Sequence, residues 1–314
     1  MANKKILGIL NDQKVFILII AFGLFMSLKS PFFFQYYNIV NIFSAMAIDG
    51  VIVIGMAYLI ILGEIDLSVG SVMAFSGVLA IRLQQYGIVV GVLAGILAGL
   101  TIGLINGLLV TRLKLASMPV TLGMMVMVNG IVYALTKSET VKGTNPEFVK
   151  LSEPIFAGIP GYVLVFIFFL IVFQLILRRT VLGRNIYAVG GNIAASRFFG
   201  IKVNRVRTFG FMLTGFMAGV AGILIAAKLN VASGRIGINT PVSAIIAVLL
   251  GGVSLAGGEG SVWMAFYGIF LVALLNNSLV LLQISPFVQD MIRGFILIAI
   301  LIIDAVKMEK AKYA

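Results

Sequence analysis

The sequence contains neither cysteine nor histidine, and charged residues occupy only 11% of its 314 positions. Without those two side chains there are no disulfides, thiolate nucleophiles, imidazole bases or zinc sites with cysteine or histidine ligands. The chain also lacks any Gly-Lys dipeptide, which excludes a Gly-x-x-x-x-Gly-Lys-Ser/Thr phosphate loop. We therefore assign no catalytic residue, expect no metal site, and expect no nucleotide to bind this chain through such a loop.

The shortage of charge is matched by an excess of apolar residues. Hydrophobic side chains make up 61% of the chain, and the mean hydropathy is +1.14. Soluble domains carry about a quarter charged residues, so this chain has too few polar groups to cover a globule. The 35 glycines are typical of membrane helices that pack closely through small residues. The composition predicts an all-α integral membrane protein with lipid as its main solvent.

Runs of about 20 mostly apolar residues indicate helices that cross the hydrocarbon layer. Clear runs lie at 15–33, 39–62, 87–110, 118–135, 161–177, 209–227, 261–282 and 287–306. Two shorter runs, 65–81 and 242–256, are richer in Ser and Gly. Counting both gives about ten crossings, whereas treating both as re-entrant gives eight. No small-residue cleavage site follows the first run, so we expect no cleaved signal peptide.

Lysine and arginine predict the orientation, because they stay in the cytoplasm when loops are short. Ten spans with both termini in the cytoplasm place most of these residues in inner loops. The inner set is Lys4, Lys5, Lys14, Arg112, Lys114, Arg178, Arg179, Arg184, Arg197, Lys202, Arg205, Arg207, Lys307, Lys310 and Lys312. We interpret the net charge of +12 as membrane topology, and we expect no nucleic-acid partner.

An internal similarity supports an even number of spans. Residues 103–110 (Gly-Leu-Ile-Asn-Gly-Leu-Leu-Val) resemble residues 273–280 (Ala-Leu-Leu-Asn-Asn-Ser-Leu-Val), and a proline follows each. Two five-helix halves of a single transmembrane domain, about 1–160 and 161–314, would be related as an inverted repeat. Chance similarity between two leucine-rich helices explains the match nearly as well.

The segment 178–207 is rich in basic residues and contains no acid. Asn192 is the predicted N-cap of a short helix, and Gly190 and Gly191 permit the turn before it. Such a helix at the cytoplasmic face could dock a partner. Composition alone favours the simpler interpretation, in which the bases only hold the loop inside.

A second polar segment, 63–71, lies at the inner end of the second apolar run. Asp66 and Ser68 are predicted to cap the next helix, and Gly70 to allow close packing. A structural turn explains these residues better than a binding site does. Glu64 adds a carboxylate to which the sequence assigns no role.

Asp49 lies in the middle of the run 39–62. An ionisable group at the bilayer centre costs at least about 2.5–3.5 kcal/mol, so it usually faces a cavity or a partner. Asn106, Asn276 and Asn277 are weaker pathway candidates, since hydrogen bonds between helices also explain membrane asparagines. Asp290 and Arg293, three residues apart, are expected to pair.

Together these segments resemble the membrane subunit of ATP-binding-cassette (ABC) sugar importers, the ribose/xylose/arabinose-type permease family, over about residues 34–304. The motifs that carry the resemblance are residues 63–70, 183–192 (Gly-Arg-Asn-Ile-Tyr-Ala-Val-Gly-Gly-Asn), 247–260 and 274–277 (Leu-Leu-Asn-Asn).

The resemblance implies a multi-pass permease of the bacterial cytoplasmic (inner) membrane that moves a monosaccharide-like, ribose-type solute by alternating access. It implies a second permease copy (a homodimer or a paralogous heterodimer), ABC ATPase subunits that bind ATP and Mg²⁺, and an extracytoplasmic solute-binding protein. It also makes 178–207 the segment that couples to the ATPase. The coupling residues it implies are Gly183, Arg184, Gly190, Gly191, Asn192, Arg197 and Gly200.

Three departures from the family pattern concern the solute. Glu64 replaces the usual glycine, and Asp49 stands where a small or amide residue is more common. Residues 239–243 (Asn-Thr-Pro-Val-Ser) replace a stretch that carries an acidic pair in the family. The resemblance therefore leaves open that the solute or the docking protein differs from that of a ribose importer.

Asp49 also supports an alternative class, an ion-coupled secondary transporter, because proton or sodium coupling often uses an intramembrane carboxylate. A membrane enzyme is a remote third class, since the sequence offers no pairing of a nucleophile with a base.

Overall fold

The computed structural model describes residues 14–156 and 158–312, and over these residues the protein is helical with four two- or three-residue strands. The predicted cytoplasmic N-terminus with Lys4 and Lys5 lies outside the described residues. The helices are α1 Lys14–Lys29, α2 Tyr36–Ile61, α3 Val69–Leu83, α4 Ile88–Arg112, α5 Ser117–Thr136, α6 Gly161–Arg179, α7 Val181–Gly191, α8 Ile193–Phe198, α9 Val203–Leu229, α10 Thr240–Leu250, α11 Val262–Leu281 and α12 Pro286–Lys312.

The short strands form two antiparallel pairs outside the helices. Strand β1 (Val141–Lys142) pairs with β4 (Val231–Ala232), which ties the loop after α5 to the end of α9. Strands β2 (Pro154–Phe156) and β3 (Ile159–Pro160) pair just before α6.

Helices α2, α4, α5, α6, α9 and α11 are long and apolar enough to cross a membrane, judged by length and composition within the described residues. Each lies on a predicted apolar run, which confirms an all-α membrane protein. Helices α1 and α10 are apolar but shorter. The count of ten crossings and the inverted repeat stay predictions.

Helices α2 and α9 form the centre of the protein. In α2, 89% of the apolar stretch is buried, against 22% in α5. A helix that is apolar on all sides belongs in the interior of a bundle. Large side chains of α2, among them Met46, Ile52, Met56 and Tyr58, are almost completely buried. Helix α5 instead exposes apolar side chains at the periphery, where lipid would cover them.

Glycines bring α4 and α9 together in antiparallel orientation. A Cβ on Gly99 would lie 2.3 Å from the carbonyl oxygen of Gly215, and one on Gly103 would lie 2.4 Å from that of Phe211. Small residues are required at such contacts because the backbones approach each other directly.

As a result, the end of α4 and the start of α9 lie at one end of the bundle. The ends of α2 and α6 lie there too. We call this end the basic face, from its residues Arg112, Lys114, Arg178, Arg179, Arg184, Arg197, Lys202, Arg205 and Arg207.

The two weak apolar runs form short helices. Helix α3 has 15 residues and α10 has 11, which correspond to lengths of about 22 Å and 16 Å at 1.5 Å per residue. The hydrocarbon layer is about 30 Å thick. The run 242–256 ends its helix at Leu250 because glycines follow, among them Gly252 and Gly257 with positive φ.

The loop before α10 enters the bundle. A Cβ on Gly70, at the start of α3, would lie 2.1 Å from the carbonyl oxygen of Gly237. The hydroxyl of Thr240 lies 3.8 Å from the sulfur of Met73, also in α3. Helix α10 therefore begins inside the protein and runs towards the basic face.

Candidate functional site

A polar cavity of about 260 Å³ lies in the half of the bundle away from the basic face. Helix α2 contributes Asp49 from its midpoint, and α11 and α12 contribute Asn276 and Arg293. The loop before α10 and the first turn of that helix form the rest of the wall: Arg235, Gly237, Ile238, Asn239, Thr240 and Ser243. A cavity with one carboxylate, two guanidinium groups and several amides and hydroxyls can bind a polar solute.

An ion pair and two amides organise one wall of this cavity. Arg293 Nη1 donates to Asp290 Oδ1 at 2.9 Å, which is the pair predicted from their spacing. Arg293 Nε and Nη2 donate to Asn276 Oδ1 at 3.3 and 3.1 Å. Asn239 Nδ2 donates to Asp290 at 3.4 Å. Arg293 thus links α12 to α11 and orients Asn276.

Asp49 differs from these residues because, within the described part of the chain, it makes no hydrogen bond and no salt bridge. Its side chain is half-buried and lies on the same cavity as Arg293 and Arg235. The first turn of α10 also borders the cavity, and the N-terminus of a helix carries a partial positive charge. A solute in this cavity would meet a free carboxylate on α2 and the side chains of Thr240 and Ser243 on α10.

The other two predicted pathway residues lie elsewhere. Asn277 and Asn38 exchange hydrogen bonds of 2.7 and 3.1 Å, which join the end of α11 to the start of α2. Asn106 is completely buried in α4. Neither residue lines the cavity, so the structure brings together only Asp49 and Asn276 of the four candidates.

Asn106 belongs instead to a cluster with Asp66 and Ser68. Asp66 Oδ1 accepts from the Ser68 backbone N–H at 2.7 Å and from its hydroxyl at 2.5 Å. Asn106 Nδ2 donates to Ser68 Oγ at 3.0 Å and to Asp66 Oδ2 at 3.3 Å. The cluster closes the turn before α3, and Gly70 one turn later makes the close contact with Gly237.

Two short helices, α7 and α8, occupy the predicted coupling segment 178–207. Thr180 Oγ1 accepts from the Gly183 N–H at 3.2 Å at the start of α7. Asn192 Oδ1 accepts from the Ala195 N–H at 2.9 Å at the start of α8. Gly200, with φ +79°, follows α8. The side chains of Arg184 and Arg197 are exposed, so a partner could reach them.

This segment packs on the end of α2. A Cβ on Gly190 would lie 1.8 Å from the carbonyl oxygen of Ile61, and the Gly258 N–H donates to that same oxygen at 2.8 Å. The hydroxyl of Tyr187 donates to the Gly260 carbonyl at 2.7 Å. Burial raises the pKa of the Tyr187 hydroxyl, which keeps it protonated as a donor.

Sequence reasoning missed two features of this segment. Arg207 donates from Nε to Glu64 Oε1 at 2.7 Å, and its Nη2 contacts the same oxygen. The two residues are 143 positions apart, so no local spacing could have indicated the pair. Phe198 and Phe199 are 87% and 79% exposed. Two adjacent aromatics beside Arg197 were the only signal of an apolar contact surface there.

Comparison with known proteins covers nearly the whole chain. The family model described as the permease component of branched-chain amino acid transport systems matches residues 38–301. The ribose import permease protein of Bacillus subtilis (strain 168) is 34% identical over 304 residues, which are 96% of this chain and 94% of that protein.

Two further relatives carry names for other solutes. The L-arabinose ABC transporter permease protein of Azospirillum brasilense is 32% identical over 281 residues, 89% of this chain and 83% of that protein. The autoinducer 2 import system permease protein of Enterobacter sp. (strain 638) is 32% identical over 297 residues, which are 94% of this chain and 86% of that protein. No solved structure matches this chain.

Proposed function

This chain belongs to the permease-component family of branched-chain amino acid transport systems, and from that premise we propose that it moves a monosaccharide-like, ribose-type solute as the membrane subunit of an ABC importer. Relatives are named for import of ribose, arabinose and autoinducer 2. The names of these relatives do not mention the amino acids of the family description. The cavity offers amides, hydroxyls, one carboxylate and two guanidinium groups as hydrogen-bonding partners for the hydroxyls of a sugar.

The observation that carries the proposal is that one helix, α2, contacts the basic segment at its end and lines the polar cavity at its middle. Helix α2 contacts Gly190 at its last residue, Ile61, and contributes Asp49 to the cavity near its midpoint. A shift of α2 at the basic segment would therefore reach the cavity, as alternating access requires.

The positive-inside rule assigns the basic face to the cytoplasm. The cavity then lies in the outer half of the membrane, where an extracytoplasmic binding protein would release its solute. Solute hydroxyls would bond to Asp49, Asn276, Thr240 and Ser243. A half-length helix that begins at a cavity inside the bundle is a common feature of transporter binding sites.

ATP and Mg²⁺ would bind to a partner ATPase, since this chain has no phosphate loop. The segment 178–207 would dock on that partner through α7 and α8. Its surface is basic and includes the exposed pair Phe198 and Phe199. A second permease copy would complete the pore.

A single observation favours a second candidate, the ion-coupled secondary transporter. Asp49 is a carboxylate near the middle of a buried helix, without a hydrogen bond or salt bridge among the described residues. Such a group could bind and release a proton or sodium ion during transport.

Reconstitution of this chain with its ATPase and binding protein in proteoliposomes tests both candidates. We expect uptake of radiolabelled pentoses to require ATP on the basic-face side and the binding protein outside. Uptake that needs no ATP and follows a proton or sodium gradient would reject the ABC importer and support the second candidate.

A further inference from the structure

The Glu64–Arg207 pair lies where the segment 178–207 meets the central helices. Glu64 follows the end of α2 by three residues, and Arg207 lies in the second turn of α9. Their side chains are only 7% and 15% exposed. Arg207 aims both Nε and Nη2 at one oxygen of Glu64. Two charge-assisted contacts from one planar guanidinium meet on this oxygen, an arrangement that a lysine ammonium, as a single point charge, would not reproduce.

A second contact joins α2 and α9 farther from the basic face. Thr214 of α9 donates from Oγ1 to the carbonyl oxygen of Gly55 in α2 at 3.0 Å. A Cβ on Gly55 would lie 2.8 Å from the Cα of Thr214. At this point the backbones of α2 and α9 contact each other directly, and at the basic face the ion pair connects the turn after α2 to the start of α9.

From this junction α2 continues without a break to Asp49. Twelve residues separate Asp49 from Ile61, which is a distance of about 18 Å along a helix. The helix is enclosed over this length, since residues from Val51 to Ile61 are all buried. An enclosed helix cannot bend independently of its neighbours, so a displacement at Ile61 and Glu64 would be carried to the cavity wall.

We propose that Glu64 and Arg207 are positioning residues that form a permanent joint, through which movement of the segment 178–207 reaches α2 and the Asp49 cavity. The inference rests on the proposed function, in which that segment docks on an ATPase. It adds a residue pair that the family resemblance does not imply, since Glu64 is itself a departure from the family pattern.

The test compares solute transported per ATP hydrolysed in proteoliposomes that contain the whole importer. Glu64→Gln and Arg207→Gln each remove one charge, and the combination of Glu64→Arg with Arg207→Glu reverses the pair. We expect each single variant to assemble with the ATPase and hydrolyse ATP. Its transport ratio should fall by at least about fivefold, the lower end of typical coupling between distant sites. The reversed pair should recover most of the ratio.

The matched control is Glu147→Gln, which breaks the exposed Glu147–Lys150 pair in the loop after α5. It should leave the ratio unchanged. If Glu64→Gln lowers the melting temperature but keeps the wild-type ratio of solute transported to ATP hydrolysed, the pair only stabilises the fold. This result would overturn the proposal. The proposed function fails separately, if the wild-type complex shows no ATP-dependent uptake at all.

Because the chain has no cysteine, a cross-link can replace the ion pair if the single variants do not assemble. Glu64→Cys combined with Arg207→Cys should give a low transport ratio until a short bifunctional thiol reagent bridges the two positions. Restoration of the ratio by the bridge supports a permanent joint. Complete arrest of transport by the bridge would overturn it, since the contact would then have to open during the cycle.

Discussion

Gly190 packs against the carbonyl oxygen of Ile61 so closely that a Cβ at position 190 would lie 1.8 Å from that oxygen. Its neighbour Gly191 has room, since a Cβ there would meet only Gly258 at 4.0 Å. Two adjacent glycines, both predicted as turn residues, therefore have different structural demands. Gly190 permits the contact between α7 and α2, whereas Gly191 is exposed on the basic face.

This difference gives a matched pair of variants. Gly190→Ala should lower the stability of the purified protein by about 1–3 kcal/mol, the usual cost of inserting a methyl group into a full site. Gly191→Ala should change the melting temperature in detergent little. Equal melting temperatures for the two variants would contradict the close contact with Ile61.

Bulk at Gly191 tests docking instead. Gly191→Trp projects from an exposed position, so it should leave membrane insertion intact and reduce co-purification of the ATPase. Arg197→Glu should also reduce co-purification of the ATPase, because it places an acid in a segment whose charged residues are otherwise all basic. Lys142→Glu, on an exposed side chain in the loop after α5, is the charge control. Wild-type uptake in both loop variants would count against the coupling assignment.

Asp49→Asn separates the two transport mechanisms. In an ABC importer the amide keeps the shape of the side chain and loses only charge-assisted hydrogen bonds to the solute. We expect up to about a tenfold drop in uptake, with ATP dependence retained. An ion-coupled transporter would lose accumulation completely, because the titrating group is gone. Glu139→Gln, at an exposed carboxylate in the loop after α5, is the control for loss of a carboxylate away from the cavity.

Asn106 and Asn276 were predicted to have the same role, and their positions now predict different effects. Asn106→Ala leaves buried polar atoms of Asp66 and Ser68 without their partner, which costs about 1–3 kcal/mol per unsatisfied group. It should lower the melting temperature while uptake per folded molecule stays near the wild-type level. Asn276→Ala should lower uptake per folded molecule while the melting temperature stays near the wild-type value, since its amide faces the cavity. Loss of uptake in a stably folded Asn106→Ala protein would support the sequence-based prediction that Asn106 belongs to the translocation pathway.

Local patterns in the sequence were sufficient for the membrane class and for most of the helix positions. Apolar runs of about 17 to 24 residues have few alternatives to a membrane-spanning helix, and α2, α4, α5, α6, α9 and α11 all lie on such runs. The pairing of Asp290 with Arg293 also follows from local geometry, because residues three apart share a helix face. These features depend on neighbours within one or two turns.

Tertiary structure alone decided which polar residues act together. Asp49 and Arg293 share a cavity, and Glu64 pairs with Arg207, although the two residues of each pair are far apart in the sequence. Asn106 and Asn276 occupy similar leucine-rich stretches, yet Asn106 is buried against the turn before α3 and Asn276 faces the cavity. Which face of a fully apolar helix meets which neighbour depends on packing between helices. That packing is set here by glycine contacts such as Gly99 with Gly215, which hydrophobic periodicity does not register.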